Sequence, residues 1–392
     1  MTPFLLDWLN LLIRWGHMVA GISWIGTSFY FIALDLSLKR HASLPQAVYG
    51  EAWEVHGGGF YHVQKYLVAP AQLPPDLTWF KWEAYLTWVS GFLLLIVQYY
   101  LNAGSYLIDP GVLPLTPWQA IGISVASLAL GWLVYDQLCR SVLGRNMTVL
   151  AVLLFCLILA AAYGFTHVFS GRGALIHVGA FIGTMMATNV FMVIIPNQRK
   201  ITAALVAGAS PDPRLGAVSK QRSVHNTYLT LPVLVMMVSN HYPMITSHPH
   251  AWLIVGLIVI GGAAARHFLM RHEVGDPVRK LAWALGLIFI TLFAAIVVTA
   301  PAFKAPADIA VSDADILSIT HARCIMCHAE KPTHAGFAEA PKGVKLETLA
   351  EIHRYAAQID LQAVKSSAMP LGNVSGMTAD ERAKLGAWLA KQ

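Results

Sequence analysis

Eight times before residue 302 the chain runs apolar for about the 20 residues a helix needs to cross a bilayer. The runs lie near 8–35, 84–102, 118–138, 148–168, 175–195, 224–241, 250–268 and 281–300. Each must satisfy its backbone hydrogen bonds internally in hydrocarbon, and a lone segment does that only as a helix. The sixth is the weakest, because Pro232 interrupts a short apolar centre. The first holds Arg14 and His17 with no small-residue cleavage site behind it, so it reads as a span and not a cleaved signal peptide. Composition agrees. Only 12% of the 392 residues are charged and mean hydropathy is +0.55, against about a quarter charged in a soluble domain.

Lys and Arg set the orientation. Lys39, Arg40, Lys65 and Lys81 fall in 36–83, Arg140 and Arg145 in 139–147, Arg199, Lys200, Arg214, Lys220 and Arg222 in 196–223, and Arg266, Arg271, Arg279 and Lys280 in 266–280. The alternate connections, 103–117, 169–174 and 242–249, hold Arg172 alone. The basic side is expected to be cytoplasmic. The N-terminus and everything after residue 301 then lie outside, as in a multi-pass protein of a bacterial inner membrane with a periplasmic tail.

Near residue 305 the character changes. Pro301-Ala302-Phe303-Lys304-Ala305-Pro306-Ala307 reads as a linker. The expected units are a membrane domain over 1–301, a linker over 302–308 and a soluble domain over 309–392. Basic and acidic residues cancel in the tail, so the net charge of +6 belongs to the first 308 residues. No basic stripe points to nucleic acid, and four cysteines cannot staple a secreted scaffold. The tail's helical stretches are expected near 312–321, 346–358 and 378–391, the last opened by a Thr378/Glu381 capping box.

Cys324-Ile325-Met326-Cys327-His328 is the C-x-x-C-H pattern of covalent c-type haem attachment. Two thiols a helical turn apart can each add to a vinyl group of one porphyrin, and the adjacent His328 reaches the iron. Met369, followed by Pro370, is the expected second axial ligand, with Met377 its competitor. A zinc site would want four ligands, and a thioredoxin-like motif a strand–helix context.

Ionisable groups inside a membrane are costly and default to function. Arg14, His17, Gly21 and Trp24 share one face of the first helix. His17, His167, His177 and His241 fall in the outer half of the expected spans. They are candidate ligands for a b-type haem held by two of the four, with Arg14 a candidate partner for its propionate. The alternative is that they are packing or interfacial histidines. On the cytoplasmic side, Glu54-Val55-His56-Gly57-Gly58-Gly59-Phe60-Tyr61-His62 and Trp79-Phe80-Lys81-Trp82 form an aromatic, Gly-rich stretch. It reads either as an interfacial helix or as a segment over the bundle, where His56 and His62 would join His225, Asn226 and His267 as candidate catalytic residues for a planar polar substrate. His56-Gly57-Gly58-Gly59 looks like an esterase oxyanion loop, but no G-x-S-x-G follows. Cys139 and Cys156 read as packing residues.

Several of these segments, Arg14-Trp15-Gly16-His17, residues 21–31, 54–61 and 79–85, resemble the membrane-bound, cytochrome c-fused urate oxidase family, over nearly the full length. The resemblance implies an all-α chain, an eight-helix transmembrane bundle followed by a small C-terminal class I-like cytochrome c domain. It further implies oxidation of urate to 5-hydroxyisourate, with electrons leaving through haem c to a respiratory cytochrome or terminal oxidase instead of making peroxide. Cys324, Cys327, His328 and, by pattern, Met369 carry over as haem residues, and no urate-contacting residue does. Urate gives two electrons while haem c takes one at a time, which favours a second centre such as haem b. The competing reading is a membrane-anchored cytochrome c subunit serving another dehydrogenase.

Overall fold

The structure, a computed structural model, describes residues 3–45, 48–66, 73–74, 76–300, 309–334 and 337–391. The linker expected over 302–308 lies outside them. In chain order the main elements are α1 (Pro3–Ser37), β1 (Val48–His56), β2 (Gly59–Tyr66), α2 (Trp82–Leu94), α3 (Pro117–Arg140), α4 (Met147–Thr166), α5 (Gly171–Thr188), α6 (Ile195–Val206), α7 (Pro213–Val238), α8 (Ala251–Glu273) and α9 (Val278–Thr299). The tail adds α10 (Asp313–Arg323), α11 (Leu349–Arg354) and α12 (Ala379–Leu389).

Among the described residues, six helical stretches are long and apolar enough to cross a membrane: Phe4–Ser37, Pro117–Arg140, Met147–Thr166, Gly171–Val206, Ala251–Glu273 and Val278–Thr299. The chain is a multi-pass, mostly helical membrane protein. The other two expected runs are helical but differ in kind. Residues 84–102 form the 13-residue α2 and then a wide π turn, Leu95–Tyr100. Residues 224–238 belong to α7, whose first half carries Arg214, Lys220 and Arg222 and so dilutes its apolar character, and 239–241 form a short turn after it.

Helix α5 is the axis of the bundle. It packs on α2, α3, α4 and α7, and twelve of its 18 residues are buried. Close approach depends on small residues. A Cβ on Gly131 of α3 would sit 1.9 Å from the Phe181 ring of α5, so only glycine fits there. A second π turn, Asn189–Ile194, joins α5 to α6. Lipid-facing flanks stay apolar and exposed, as on α1 at Trp8, Leu11, Trp15 and Ile22. Cys139 is buried as expected, whereas Cys156 is exposed on the apolar surface of α4.

The all-α expectation is corrected at 48–66, where an antiparallel hairpin pairs Trp53 with His62 and Val55 with Phe60. Alternating aromatic and β-branched residues suit strands. Gly57 and Gly58 supply the positive φ values, 59° and 80°, that a two-residue hairpin turn demands. The segment is therefore no interfacial helix. It is tied to α1 by Tyr30, which donates to Glu54 at 2.8 Å, and by the Lys65–Asp35 ion pair at 2.6 Å.

The tail has its own core, built on Ile316, Ile319, Leu346, Ile352, Leu385 and Trp388. Its helices begin at three capping boxes, Ser312/Asp315, Thr348/Glu351 and the expected Thr378/Glu381. The middle helical stretch breaks at Tyr355.

Candidate functional site

In the tail, α10 ends at Cys324 and the backbone turns tightly, His328 N–H donating to the Cys324 carbonyl at 2.9 Å. Both Cys324 and Cys327 are free thiols. Burial pushes the Cys324 thiol up to about 12. His328 Nδ1 lies 2.9 Å from the Val344 carbonyl. A carbonyl can only accept, so Nδ1 carries the proton and Nε2 keeps its lone pair, as metal-ligating histidines arrange. Like Cys324, Met369 packs against the tail core. Arg382 holds its loop, donating to the Ala363 and Met369 carbonyls at 2.6 and 2.7 Å. These residues fit a c-type haem, with Cys324 and Cys327 as attachment points and His328 as iron ligand. Met377 is 4% exposed and belongs to the apolar core.

The four intramembrane histidine candidates have separate surroundings. His17 Nδ1 lies 3.0 Å from the Thr87 carbonyl and 3.1 Å from Ser90 Oγ, and Gly91 makes room for its ring. His177 is fully buried with both nitrogens engaged, by the Gly173 carbonyl at 2.7 Å and Ser124 Oγ at 2.6 Å. His167 bonds to the Tyr163 carbonyl at 2.7 Å at the exposed end of α4. His241 is exposed in a short turn after α7. No hydrogen bond or ring contact among the described residues joins any two of them. Arg14 donates to Asn10 at 3.1 Å and to Gln98 at 3.3 Å.

The remaining candidates divide in the same way. His62 lies 2.7 Å from Glu51 and stacks on Trp53, with centroids 4.2 Å apart. His41 takes the other oxygen of Glu51 at 3.0 Å, and together the His62 and His41 bonds hold the Glu51 carboxyl down at about 2. His56 is exposed beside the turn. His267 meets Tyr228 at 2.8 Å on α8. His225 and Asn226 sit instead in a buried network across α3, α5, the second π turn and α7.

Sequence reasoning missed that network. Arg222, 1% exposed, pairs with Asp136 at 2.6 Å, and Asp136 also pairs with Arg140 at 2.7 Å. Asn189 Nδ2 donates to Tyr135 at 2.9 Å and to Asn226 Oδ1 at 3.0 Å. Tyr135 and His225 Nδ1 share a hydrogen bond at 2.8 Å. The available signal was Asp136 and Asn189 standing inside apolar runs. Next to the network is a cavity of 550 Å³ between α1, the 77–80 segment and α7, walled by Trp24, Phe31, Trp79 and Phe80 and lined by no charged residue.

Fold and site together define a polytopic helical membrane protein whose C-terminal tail carries a Cys-x-x-Cys-His motif. Comparison with protein families matches residues 3–300 to the urate oxidase N-terminal family. The chain belongs to that family, which ties it to urate and to oxidoreductase chemistry. No curated protein and no solved structure matches it.

Proposed function

We propose that the protein oxidises urate to 5-hydroxyisourate at a bacterial inner membrane. The electrons leave through a covalent c-type haem in the tail toward a respiratory cytochrome or terminal oxidase. In this reading all eight helical runs cross the bilayer and the tail is periplasmic. The half-reaction balances as urate monoanion plus water giving 5-hydroxyisourate, one proton and two electrons. A bound c-type haem supplies a one-electron acceptor. Cys324 and Cys327 would tether it, His328 would offer Nε2 to its iron, and Met369 would serve as the further iron ligand.

One observation carries the reading: the motif-bearing tail is seated directly on the family-defining bundle. Gly372 abuts the carbonyls of Ser105 and Ile108, and Ser105 Oγ lies 3.4 Å from His334. The tail meets the bundle at the end that carries 103–117, 169–174 and 242–249, the connections poor in Lys and Arg. That is the side charge placement assigns to the outside. A loosely anchored carrier for another dehydrogenase needs no such seat.

The test is anaerobic addition of urate to the purified full chain while the c-haem absorbance is followed. Prompt reduction is expected. No reduction, with dithionite still reducing the haem, overturns the enzyme reading. Cys324→Ala with Cys327→Ala is expected to abolish covalent haem, seen as lost peroxidase staining on a denaturing gel.

A further inference from the structure

Where the tail meets the bundle, the structure encloses a second cavity, of 190 Å³. It lies between the three basic-poor connections and the turn that follows Met369. Its floor is the start of α5, where Ser170 caps the helix by accepting from Gly173 N–H at 3.1 Å and Arg172 stands in the first turn. Thr246, Ser247 and His248 form one wall, Ser105 and Asp109 another, and Ser367, Ala368, Leu371 and Gly372 the roof.

Three features of this cavity call for an anionic ligand. Thr246 lines it and is 2% exposed, yet its hydroxyl is buried without a hydrogen-bond partner. Such an orphan costs stability unless something fills its place. Arg172 also lines it, and its Nε is buried without a partner. Arg172 is moreover the sole Lys or Arg in the three connections on this side, where the orientation rule selects against basic residues. Finally, the positive end of the α5 dipole lies at the floor and adds to the guanidinium.

We propose that this seam cavity binds the substrate of the reading above, a planar purine monoanion, with Arg172 as its counter-charge. The proposal rests on that reading. Urate is a monoanion at neutral pH, and its carbonyls accept while its ring N–H groups donate. Arg172 and Thr246 match the carbonyls. Asp109, which already accepts Gly111 N–H at 2.8 Å, offers a carboxylate to a ring N–H. The roof residues flank Met369, so a purine here lies beside the iron-ligand loop and its electrons need not cross the bilayer. The 550 Å³ cavity lacks a charge, and the amide of Asn226 in its wall is spent on Met186 and Asn189.

The test is calorimetric titration of urate into the full-length protein, reduced beforehand with dithionite so that no turnover occurs. Arg172→Gln should weaken binding about tenfold or more, as expected for losing a charged hydrogen-bond partner, while Arg172→Lys retains most of the affinity. Thr246→Val should weaken it by a smaller factor. Gln198→Ala, in the larger cavity, should leave it unchanged. Wild-type affinity in Arg172→Gln, a comparable loss in Arg172→Lys, or a loss confined to Gln198→Ala each overturns the seam site and leaves urate oxidation standing. Failure of the unaltered protein to bind urate overturns both.

Discussion

A Cβ placed on Gly372 would lie 2.8 Å from the carbonyl oxygen of Ile108. The turn after Met369 and the 103–117 connection of the bundle therefore meet backbone to backbone. Gly372 also holds a positive φ of 55°, where a side chain costs about 1–2 kcal/mol. Gly372→Val is expected to lift the turn off its seat. In stopped-flow mixing, urate should reduce the haem at least about tenfold more slowly, while dithionite reduces it at the normal rate.

The two methionines near the end of the tail separate by burial. Met369→Ala should abolish the weak near-infrared sulfur-to-iron band and lower the haem potential, since a thioether ligand raises it. Met377→Ala should keep the band but cost about 2–5 kcal/mol of tail stability through the cavity it leaves. Denaturant titration followed at the haem band reads both. A band that survives in Met369→Ala would move the ligand to Met377.

Asp136 faces two arginines, Arg222 at 2.6 Å and Arg140 at 2.7 Å, and Arg222 has no exposed route to water. Removing the carboxylate leaves a buried cation uncompensated, which costs about 3–5 kcal/mol. Asp136→Ala should lower the thermal unfolding midpoint of the detergent-purified protein clearly. Arg140→Ala should do so only slightly, because that partner is exposed.

The hairpin carries its own acid sensitivity. His62 and His41 hold the Glu51 carboxyl at about 2, below its ordinary 4.5. A depressed carboxyl contributes stability that is present above its unfolded pKa and lost as pH falls through the folded value. Hydrogen exchange over 48–66, corrected for intrinsic rate, should stay flat down to about pH 5 and rise as pH falls from 4.5 toward 2. Glu51→Gln should raise exchange at neutral pH and flatten that profile.

The membrane architecture was legible because hydrocarbon leaves so few options for an apolar run. The helices over 118–138, 148–168, 250–268 and 281–300 lie close to where their composition puts them. The tail motif was equally plain, since C-x-x-C-H has a fixed spacing with a chemical cause. The hairpin was not read, although its signals stood in the open. Gly57 and Gly58 make the turn between strands, with His56 pairing Gly59 and Val55 pairing Phe60 on either side. The Asn189–Tyr135–His225 network was hidden for a different reason. Tyr135 is 54 residues from Asn189 and 90 from His225 along the chain, and only helix packing brings them together. The seam cavity needed the same long-range information, and the isolated Arg172 was its one trace in the sequence.

Within the bundle, the π turns Leu95–Tyr100 and Asn189–Ile194 each widen a helix by the equivalent of one inserted residue. Each supplies a polar anchor to the interior: Tyr100, bonded to Ser124 at 2.7 Å, and Asn189 at the centre of its network. Shortening the chain there by a single residue would restore an ordinary helix and swing every later side chain about 100° around the axis. Length at these two points is thus a constraint in its own right, separate from the demand for a polar side chain at Tyr100 and Asn189.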